Sequence, residues 1–125
     1  MGPRLTDDPR YAKISTHNPK SGYYPGQTWR GIASWYGKEH HGNKTASGEI
    51  FDMYAPTSAH RYLPMGTMIR VVNIKNDKSC KLEVNDRGPF IRGRILDVSY
   101  GAAKDLGMVN DGLVEVQITI ISLPK

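Results

Sequence analysis

Apolar and polar residues alternate most regularly near the end of the chain, over residues 113–121. One face of this stretch is aliphatic and the other is polar: Val114, Val116, Ile118 and Ile120 against Glu115, Gln117 and Thr119. A period of two predicts a strand with one buried face. Shorter runs of β-branched and aromatic residues predict four more strands, at 32–36, 69–74, 79–86 and 95–98.

The segments between these strands contain strong turn signals. Asn76-Asp77 separates two neighbouring strands by a short turn, which predicts a hairpin. Ser99 is a suitable N-cap for a short helix over 100–106, and Gly107 is a suitable stop. A long polar loop rich in glycine follows the first strand, at 38–48. Five or six short strands, a short helix and long loops favour a mainly β fold closed into a small barrel, because closure removes exposed strand edges.

Residues 1–30 differ in character from the rest of the chain. They contain four prolines and no apolar periodicity, which predicts an extended leader or linker of low order. The predicted folded domain therefore spans 31–123. The leader carries five Lys or Arg and two Asp or Glu, so it holds over half of the net charge of +5. The remainder is only weakly basic, which argues against a nucleic-acid partner.

The composition excludes several kinds of segment and site. No apolar run approaches the roughly 18 residues of a membrane-spanning helix, so none is predicted. The single cysteine, Cys80, excludes an internal disulfide framework and a cysteine-based zinc site. His40 and His41 are adjacent, and adjacent side chains on an extended loop point apart. We therefore predict no metal site and no cofactor.

Asp86 is the first candidate for chemistry. In the predicted strand at 79–86 it lies on the same face as Leu82 and Val84. This pattern predicts a carboxyl group at the mouth of the barrel, above an aliphatic floor. Partial loss of solvent there favours the protonated form, as a general acid at neutral pH requires. The alternative is a turn residue that accepts backbone N–H groups within 86–89.

A second cluster contains two carboxylates, Glu49 and Asp52, beside Phe51. Paired carboxylates near an aromatic ring are typical of glycoside cleavage, and the alternative is a solvated loop. His60 is either a catalyst or a hydrogen-bonded structural histidine. Trp35 and Tyr36 flank the long loop, where they either pack in the core or face a ligand. Asp97 lies in an apolar run, and we interpret it as a residue that starts the helix or tethers a loop.

Five segments in order resemble the rare lipoprotein A family. They are Gly31–Gly37 (GIASWYG), Thr45–Met53 (TASGEIFDM), Ala59–Pro64 (AHRYLP), Val84–Phe90 (VNDRGPF) and Gly93–Ser99 (GRILDVS). The resemblance extends from residue 31 to about residue 121. It implies a six-stranded double-psi β-barrel with one or two short helices, related to expansins, barwin and family 45 glycosidases.

The same resemblance implies a function. Members of the family are lytic transglycosylases that cut the glycan strands of peptidoglycan, preferably strands without stem peptides. The implied location is the periplasmic face of the Gram-negative outer membrane, as a monomeric lipoprotein with a lipid anchor. Many members also carry a C-terminal repeat domain that binds glycan. This chain contains neither that domain nor the lipid-accepting cysteine, since Cys80 lies within a predicted strand.

The resemblance also implies roles for individual residues. The catalytic set corresponds to Glu49, His60 and Asp86, with Asp52 close by. From the residue types we expect sugar contacts from three aromatic side chains and contacts with lactyl carboxylates from two arginines: Trp35, Tyr36 and Phe51, then Arg61 and Arg87. Two alternatives without turnover stay open. One is a wall-binding module of the expansin type, and the other is a scaffold protein whose groove binds a peptide.

Overall fold

The computed structural model describes residues 22–125 and forms a closed barrel of six strands with a short helix. In chain order the elements are β1 (Thr28–Tyr36), β2 (Thr57–Ala59), β3 (Met68–Asn73), β4 (Ser79–Asp86), β5 (Arg94–Ser99), α1 (Tyr100–Asp105) and β6 (Val114–Ser122). Around the barrel the strands follow the order β1, β5, β2, β4, β3, β6. The predicted six-stranded double-psi β-barrel is confirmed.

The barrel combines parallel and antiparallel pairs. β1 pairs with β5 and β2 with β4 in parallel, and the other neighbours are antiparallel. Because the ring is closed, every strand has a neighbour on both sides, and no strand edge is left open to pair with another chain.

The core is filled by alternate residues of the strands. The aliphatic face predicted for β6 is buried in it, with Val116 and Ile118 fully inaccessible to solvent. Leu82 and Val84 of β4 meet them there. Each such side chain contributes about 1.5–3 kcal/mol relative to an exposed position, so this aliphatic interior is the main source of stability.

The N-terminal boundary of the domain differs from the prediction. β1 begins at Thr28, and Gly26 N–H donates to the carbonyl of Ile120 (2.8 Å). Trp29 is 2% exposed and Tyr23 is 7% exposed, with their ring centroids 5.8 Å apart in an edge-to-face contact. The predicted leader of 1–30 is therefore too long, because its last residues belong to the barrel. Residues 1–21 of that leader lie outside the part of the chain that the structure describes.

The predicted helix and hairpin are present with their turn chemistry. Ser99 Oγ accepts a hydrogen bond from Ala102 N–H (3.2 Å) at the start of α1, and Gly107 follows the helix with φ 66°. Asp77 adopts φ 63° between β3 and β4, a left-handed conformation that Asp and Asn tolerate better than most residues. Within 22–125, no helix is both long and apolar enough to cross a membrane.

Candidate active site

An extra residue in β4 determines where Asp86 lies. Ser58 of β2 is opposite Val84, but the next residue, Ala59, is opposite Asp86, so Asn85 is inserted as a β-bulge. A bulge changes which face the following residues occupy. Asp86 therefore lies beside Ala59, on the outer surface of the barrel, and does not continue the core row of Leu82 and Val84. The predicted position above an aliphatic floor is wrong for this reason.

Asp86 belongs to a row of residues that crosses four neighbouring strands. Asp86 of β4 is opposite Ala59 of β2, Ala59 is opposite Asp97 of β5, and Asp97 is opposite Ser34 of β1. Leu96 and Val98 on either side of Asp97 are in the core, so the carboxyl group points to the outer face. Two carboxyl groups thus share one surface, separated by the small side chain of Ala59.

The two oxygens of Asp86 have different surroundings. Oδ1 accepts hydrogen bonds from the backbone N–H groups of Ala46 (2.9 Å) and Arg87 (2.8 Å). Oδ2 accepts none from residues 22–125. The turn role that we considered for Asp86 is thus performed by one oxygen, while the other is free to exchange a proton. The bond from Ala46 also fixes the long loop against the end of β4.

The structure brings Glu49 close to Asp86 through Asn85. Glu49 Oε1 accepts from Ser47 Oγ (3.0 Å) and from Asn85 Nδ2 (3.3 Å). Thr45 N–H donates to the carbonyl of Glu49 (2.7 Å), which closes this part of the loop into a tight turn. Glu49 is exposed, so its carboxylate lies at the surface beside the row of Asp86 and Asp97.

His60 lies beneath this surface and not on it. It is 1% exposed, and its Nδ1 accepts from the backbone N–H groups of Tyr62 and Leu63 (both 3.0 Å). Burial, followed by the positive charges of Arg87 and Arg61, lowers the pKa of His60 from 6.5 to about 3. The backbone N–H of His60 donates to the carbonyl of Asp86 (3.1 Å). This geometry matches the structural alternative: a neutral histidine that shapes the turn next to Asp86.

The neutral state of His60 predicts a pH dependence of stability. In the unfolded chain His60 takes up a proton near pH 6.5, whereas in the folded chain it does so only near pH 3. Between these values the unfolded state binds more protons, so the free energy of unfolding decreases as the pH falls from about 6.5 to 3. In denaturant titrations, His60→Asn is expected to reduce this pH dependence by about one proton relative to wild type. His41→Asn, at an exposed position, is the matched control, and equal slopes for wild type and His60→Asn would contradict the prediction.

Arg87 connects the end of β4 to the turn that contains His60. Its Nη1 donates to the carbonyls of His60 (3.1 Å) and Leu63 (2.7 Å). The guanidinium is thereby held beside Asp86 with Nε and Nη2 not engaged by residues 22–125. The Arg61 guanidinium lies over the ring of Tyr62, with its carbon 5.7 Å from the centroid. Arg87 therefore lies beside Asp86 with a structural role in this turn, whereas Arg61 contacts Tyr62 and its charge acts on the buried His60.

The predicted sugar-stacking aromatics are mostly covered by protein. Tyr36 and Phe51 are 8% and 2% exposed, and their rings stack on each other with centroids 4.7 Å apart. Trp35 is half-buried against the core, and its Nε1 donates to the carbonyl of Val109 (3.2 Å). In this structure Phe51 offers no ring face to a ligand, which corrects its predicted role. Tyr36 and Phe51 instead form a floor under the loop, together with Ala59.

Asp52 also differs from its predicted role. Its Oδ1 accepts from Tyr54 N–H (2.9 Å), the pattern of a turn-forming aspartate. No hydrogen bond joins it to Asp86 within residues 22–125. Within residues 22–125, the exposed aromatic residues are others: Tyr54 at 65%, Tyr62 at 48% and Phe90 at 77%. They lie in loops without periodicity, so the sequence pattern contains no signal for their exposure.

Asp97 does not start the helix, which corrects that part of its predicted role. Asp97 accepts a hydrogen bond from Ser34 Oγ, and Ser99, not Asp97, caps α1. Burial raises the pKa of Asp97, while the bond from Ser34 and the charges of Arg94 and His40 lower it, and the charge of Asp86 raises it. The available signal was its alternation with Leu96 and Val98, which places it on the opposite face from the core.

The hydroxyl group of Tyr36 lies in the same electrostatic environment. Burial raises the pKa of Tyr36 far above its ordinary value, and the negative charges of Asp86 and Asp97 raise it further. Within residues 22–125, no group of three or more His, Cys, Asp or Glu side chains is arranged to hold a metal ion.

Comparisons with known proteins agree with this architecture. The family model described as lytic transglycolase matches residues 28–118. A protein of Helicobacter pylori named endolytic peptidoglycan transglycosylase RlpA is 46% identical over 104 residues, which cover 79% of this chain and 33% of that protein. A protein of Vibrio cholerae with the same name is 49% identical over 108 residues, covering 86% of this chain and 39% of its own. The chain thus spans between a third and two-fifths of the length of these relatives.

Among solved structures, the Streptomyces papain inhibitor is similar in fold. Its TM-score is 0.65 at 19% sequence identity, with 78% of this chain and 97% of the inhibitor covered. At that identity the likeness concerns the fold alone. The assignment to a family rests on the sequence relatives and the family model. The region that the model matches begins with β1 and ends within β6. The chain therefore belongs to the lytic transglycolase family.

Proposed function

We propose that this protein is a lytic transglycosylase that cleaves the MurNAc–GlcNAc β-1,4 bonds of peptidoglycan and leaves 1,6-anhydroMurNAc ends. The names of relatives 46% and 49% identical to it support the reaction class. The observation that carries the proposal is the geometry of Asp86. Its Oδ1 is fixed by two backbone N–H groups, which leaves Oδ2 to exchange a proton with a bound glycan.

The reaction requires a proton for the leaving oxygen and a base for the attacking hydroxyl group. In its simplest form Asp86 does both in succession. It protonates the glycosidic oxygen as the bond to C1 breaks, and the resulting carboxylate then accepts the proton of the MurNAc C6 hydroxyl, which bonds to C1. Because the nucleophile belongs to the substrate, no water is activated and proximity supplies much of the acceleration.

Glu49 and His60 support this chemistry in different ways. The exposed carboxylate of Glu49, held by Ser47 and Asn85, places a negative charge where positive charge develops on the sugar. His60 is a positioning residue, because it forms a turn that binds the guanidinium of Arg87 and the carbonyl of Asp86 at the end of β4.

We also propose the substrate form and the location of the reaction. Arg87 contacts the turn that contains His60, and Arg61 is the next residue of that turn. We expect the two arginines to pair with lactyl carboxylates, which are free only on strands without stem peptides. Peptidoglycan as substrate implies a periplasmic location. For the whole protein we propose a monomer that is attached to the outer membrane through a lipid anchor.

Digestion of peptide-free glycan strands, followed by mass analysis of the ends, tests the proposal. We expect 1,6-anhydro ends and faster cleavage of peptide-free strands than of strands with peptides. Reducing ends would identify a hydrolase and contradict the proposed product. Retention on the glycan without cleavage would identify a wall-binding module.

A further inference from the structure

We propose that the segment between β4 and β5, residues 87–93, is a binding surface for the glycan strand, on which Phe90 stacks against a sugar ring and Arg92 pairs with a lactyl carboxylate. The inference rests on the proposed function. It extends that function from the reacting bond to the sugars beside it.

The segment crosses the barrel next to Asp86. It begins after Asp86, the last residue of β4, and leads to Arg94, the first residue of β5. In the ring β2 lies between these two strands, and its last residue, Ala59, is opposite Asp86. Strands two positions apart in a sheet are about 10 Å from each other, so the segment has to pass the end of β2. A glycan whose reacting bond lies at Asp86 therefore has this segment beside it.

The segment is fixed at both ends. At its start Arg87 donates hydrogen bonds to two backbone carbonyls in the turn that begins with His60. At its end the N–H group of Arg94 donates to the carbonyl of Ile91 (3.2 Å). The two residues that follow Arg87 are buried. A surface held in this way needs little ordering when a ligand binds, which favours affinity.

Phe90 is held in solvent on this fixed base. Within residues 22–125 it is the most exposed of the large apolar side chains. Its ring lies against Gly88, where an added side-chain carbon would be 3.6 Å from Phe90 Cε2. An exposed aromatic ring beside a site commonly marks a ligand-binding surface. Sugar rings have flat faces of C–H groups that can cover such a ring, while their hydroxyl groups stay in water.

The charge of the segment favours an anionic ligand. Residues 87–94 contain three arginines and no acidic residue. Arg92 is exposed and follows Phe90 by two residues, so a ring contact and a carboxylate contact are available side by side. Glycan strands without stem peptides alternate an uncharged sugar with one that has a free lactyl carboxylate, and a guanidinium group binds a carboxylate through two hydrogen bonds. A second copy of this chain, with a net charge of +5, is a poorer match.

The first test is Phe90→Ala, measured as the dissociation constant for peptide-free glycan and for neutral GlcNAc oligomers. The measurements use Asp86→Asn as the parent, so that bound glycan is not cleaved. We expect the dissociation constant to rise about 2–10-fold for both ligands, because each loses a contact with the ring. Phe90→Tyr keeps the ring and should bind like the parent. The matched control is Ile121→Ala, an exposed apolar position on β6, which is opposite β2 in the ring.

Arg92→Gln separates the ion pair from the ring contact. For peptide-free glycan we expect the dissociation constant to rise about 2–5-fold at low salt, and less as the salt concentration increases. For the neutral GlcNAc oligomers it should not change. Arg70→Gln is the matched control, because it removes the same charge at an exposed position on β3.

Turnover gives an independent measurement. In the otherwise wild-type chain, Phe90→Ala is expected to raise KM for peptide-free glycan and to leave kcat within about twofold, the result of losing a contact that is equally strong before and during the reaction. The melting temperature should change by less than about 2 °C, since the side chain is exposed. If Phe90→Ala melts early, Phe90→Leu removes the ring and keeps most of the apolar volume.

The outcomes distinguish this inference from the proposed function. Glycan binding that the loss of the ring leaves unchanged, or that Ile121→Ala weakens equally, overturns the inference. An effect of Phe90→Ala on self-association in sedimentation, without one on glycan binding, also overturns it and identifies a second copy as the ligand. Equal effects of Arg92→Gln on both ligands refute the ion pair. A wild-type protein that binds glycan through Phe90 but releases no anhydro ends refutes the proposed function alone, and one that binds neither ligand refutes both.

Discussion

Replacing Asp86 by Asn is expected to lower glycan cleavage by about 10²–10⁴-fold without unfolding the barrel. The amide oxygen of Asn can accept the N–H groups of Ala46 and Arg87 that Oδ1 accepts now. The free energy of unfolding should therefore change by less than about 1 kcal/mol. The amide group cannot exchange a proton at the position of Oδ2, so the proposed mechanism loses both its acid and its base.

Three measurements on Asp86→Asn make the result decisive: anhydro-end release, glycan pull-down and the melting curve. Asp77→Asn controls for the loss of one negative charge, because Asp77 is exposed in a turn whose left-handed conformation Asn tolerates. Cleavage near the wild-type rate would mean that Asp86 is only a turn residue, the role that Oδ1 already has. Should the variant melt early, Glu49→Gln tests the same site at an exposed side chain.

The largest expected effect on stability comes from Trp29→Ala. Trp29 is 2% exposed, pairs with Ile118 across β1 and β6, and contacts the rings of Tyr23 and His60. Truncation of such a side chain leaves a cavity that a closed barrel fills poorly, and we expect a loss of about 3–5 kcal/mol in the free energy of unfolding. For a domain of this size the melting temperature should fall by at least about 10 °C.

Arg30→Ala is the matched control for Trp29→Ala. Arg30 is the next residue of β1, and its side chain is exposed, with one hydrogen bond to Gln117 (3.1 Å). Its removal should cost less than about 1 kcal/mol. A loss below about 1 kcal/mol for Trp29→Ala itself would contradict the structure and support the predicted boundary of the barrel at residue 31.

The sequence predicted those strands, turns and caps that depend on a pattern of neighbouring residues. The alternation in β6, the turn at Asp77 and the cap at Ser99 each follow from a few neighbouring residues, and all are present. β2 was not predicted, because three residues, Thr57–Ala59, are too short for a period of two. The start of β1 was missed because Trp29 is buried by strands that lie far away in the sequence.

The sequence predicted which residues belong to the candidate site better than it predicted how they are arranged. Asp86 and Glu49 were identified, and the structure places them at the same end of the barrel. The face of Asp86 was wrong because the bulge at Asn85 depends on the pairing of β4 with β2, which no single strand reveals. Burial of Phe51 likewise depends on a long loop that folds back onto β1.

The position of β1 in the barrel has a consequence for how the chain folds. β1 pairs only with β5 and β6, so Thr28 meets Thr119, the partner 91 residues away. Contacts between residues so far apart in the sequence form slowly. The chain loses conformational entropy when it closes the long loop, and the strand pairing compensates for that loss only afterwards. During synthesis both edges of β1 stay without partners until β5 and β6 have been made, and the barrel closes only when nearly the whole domain is available.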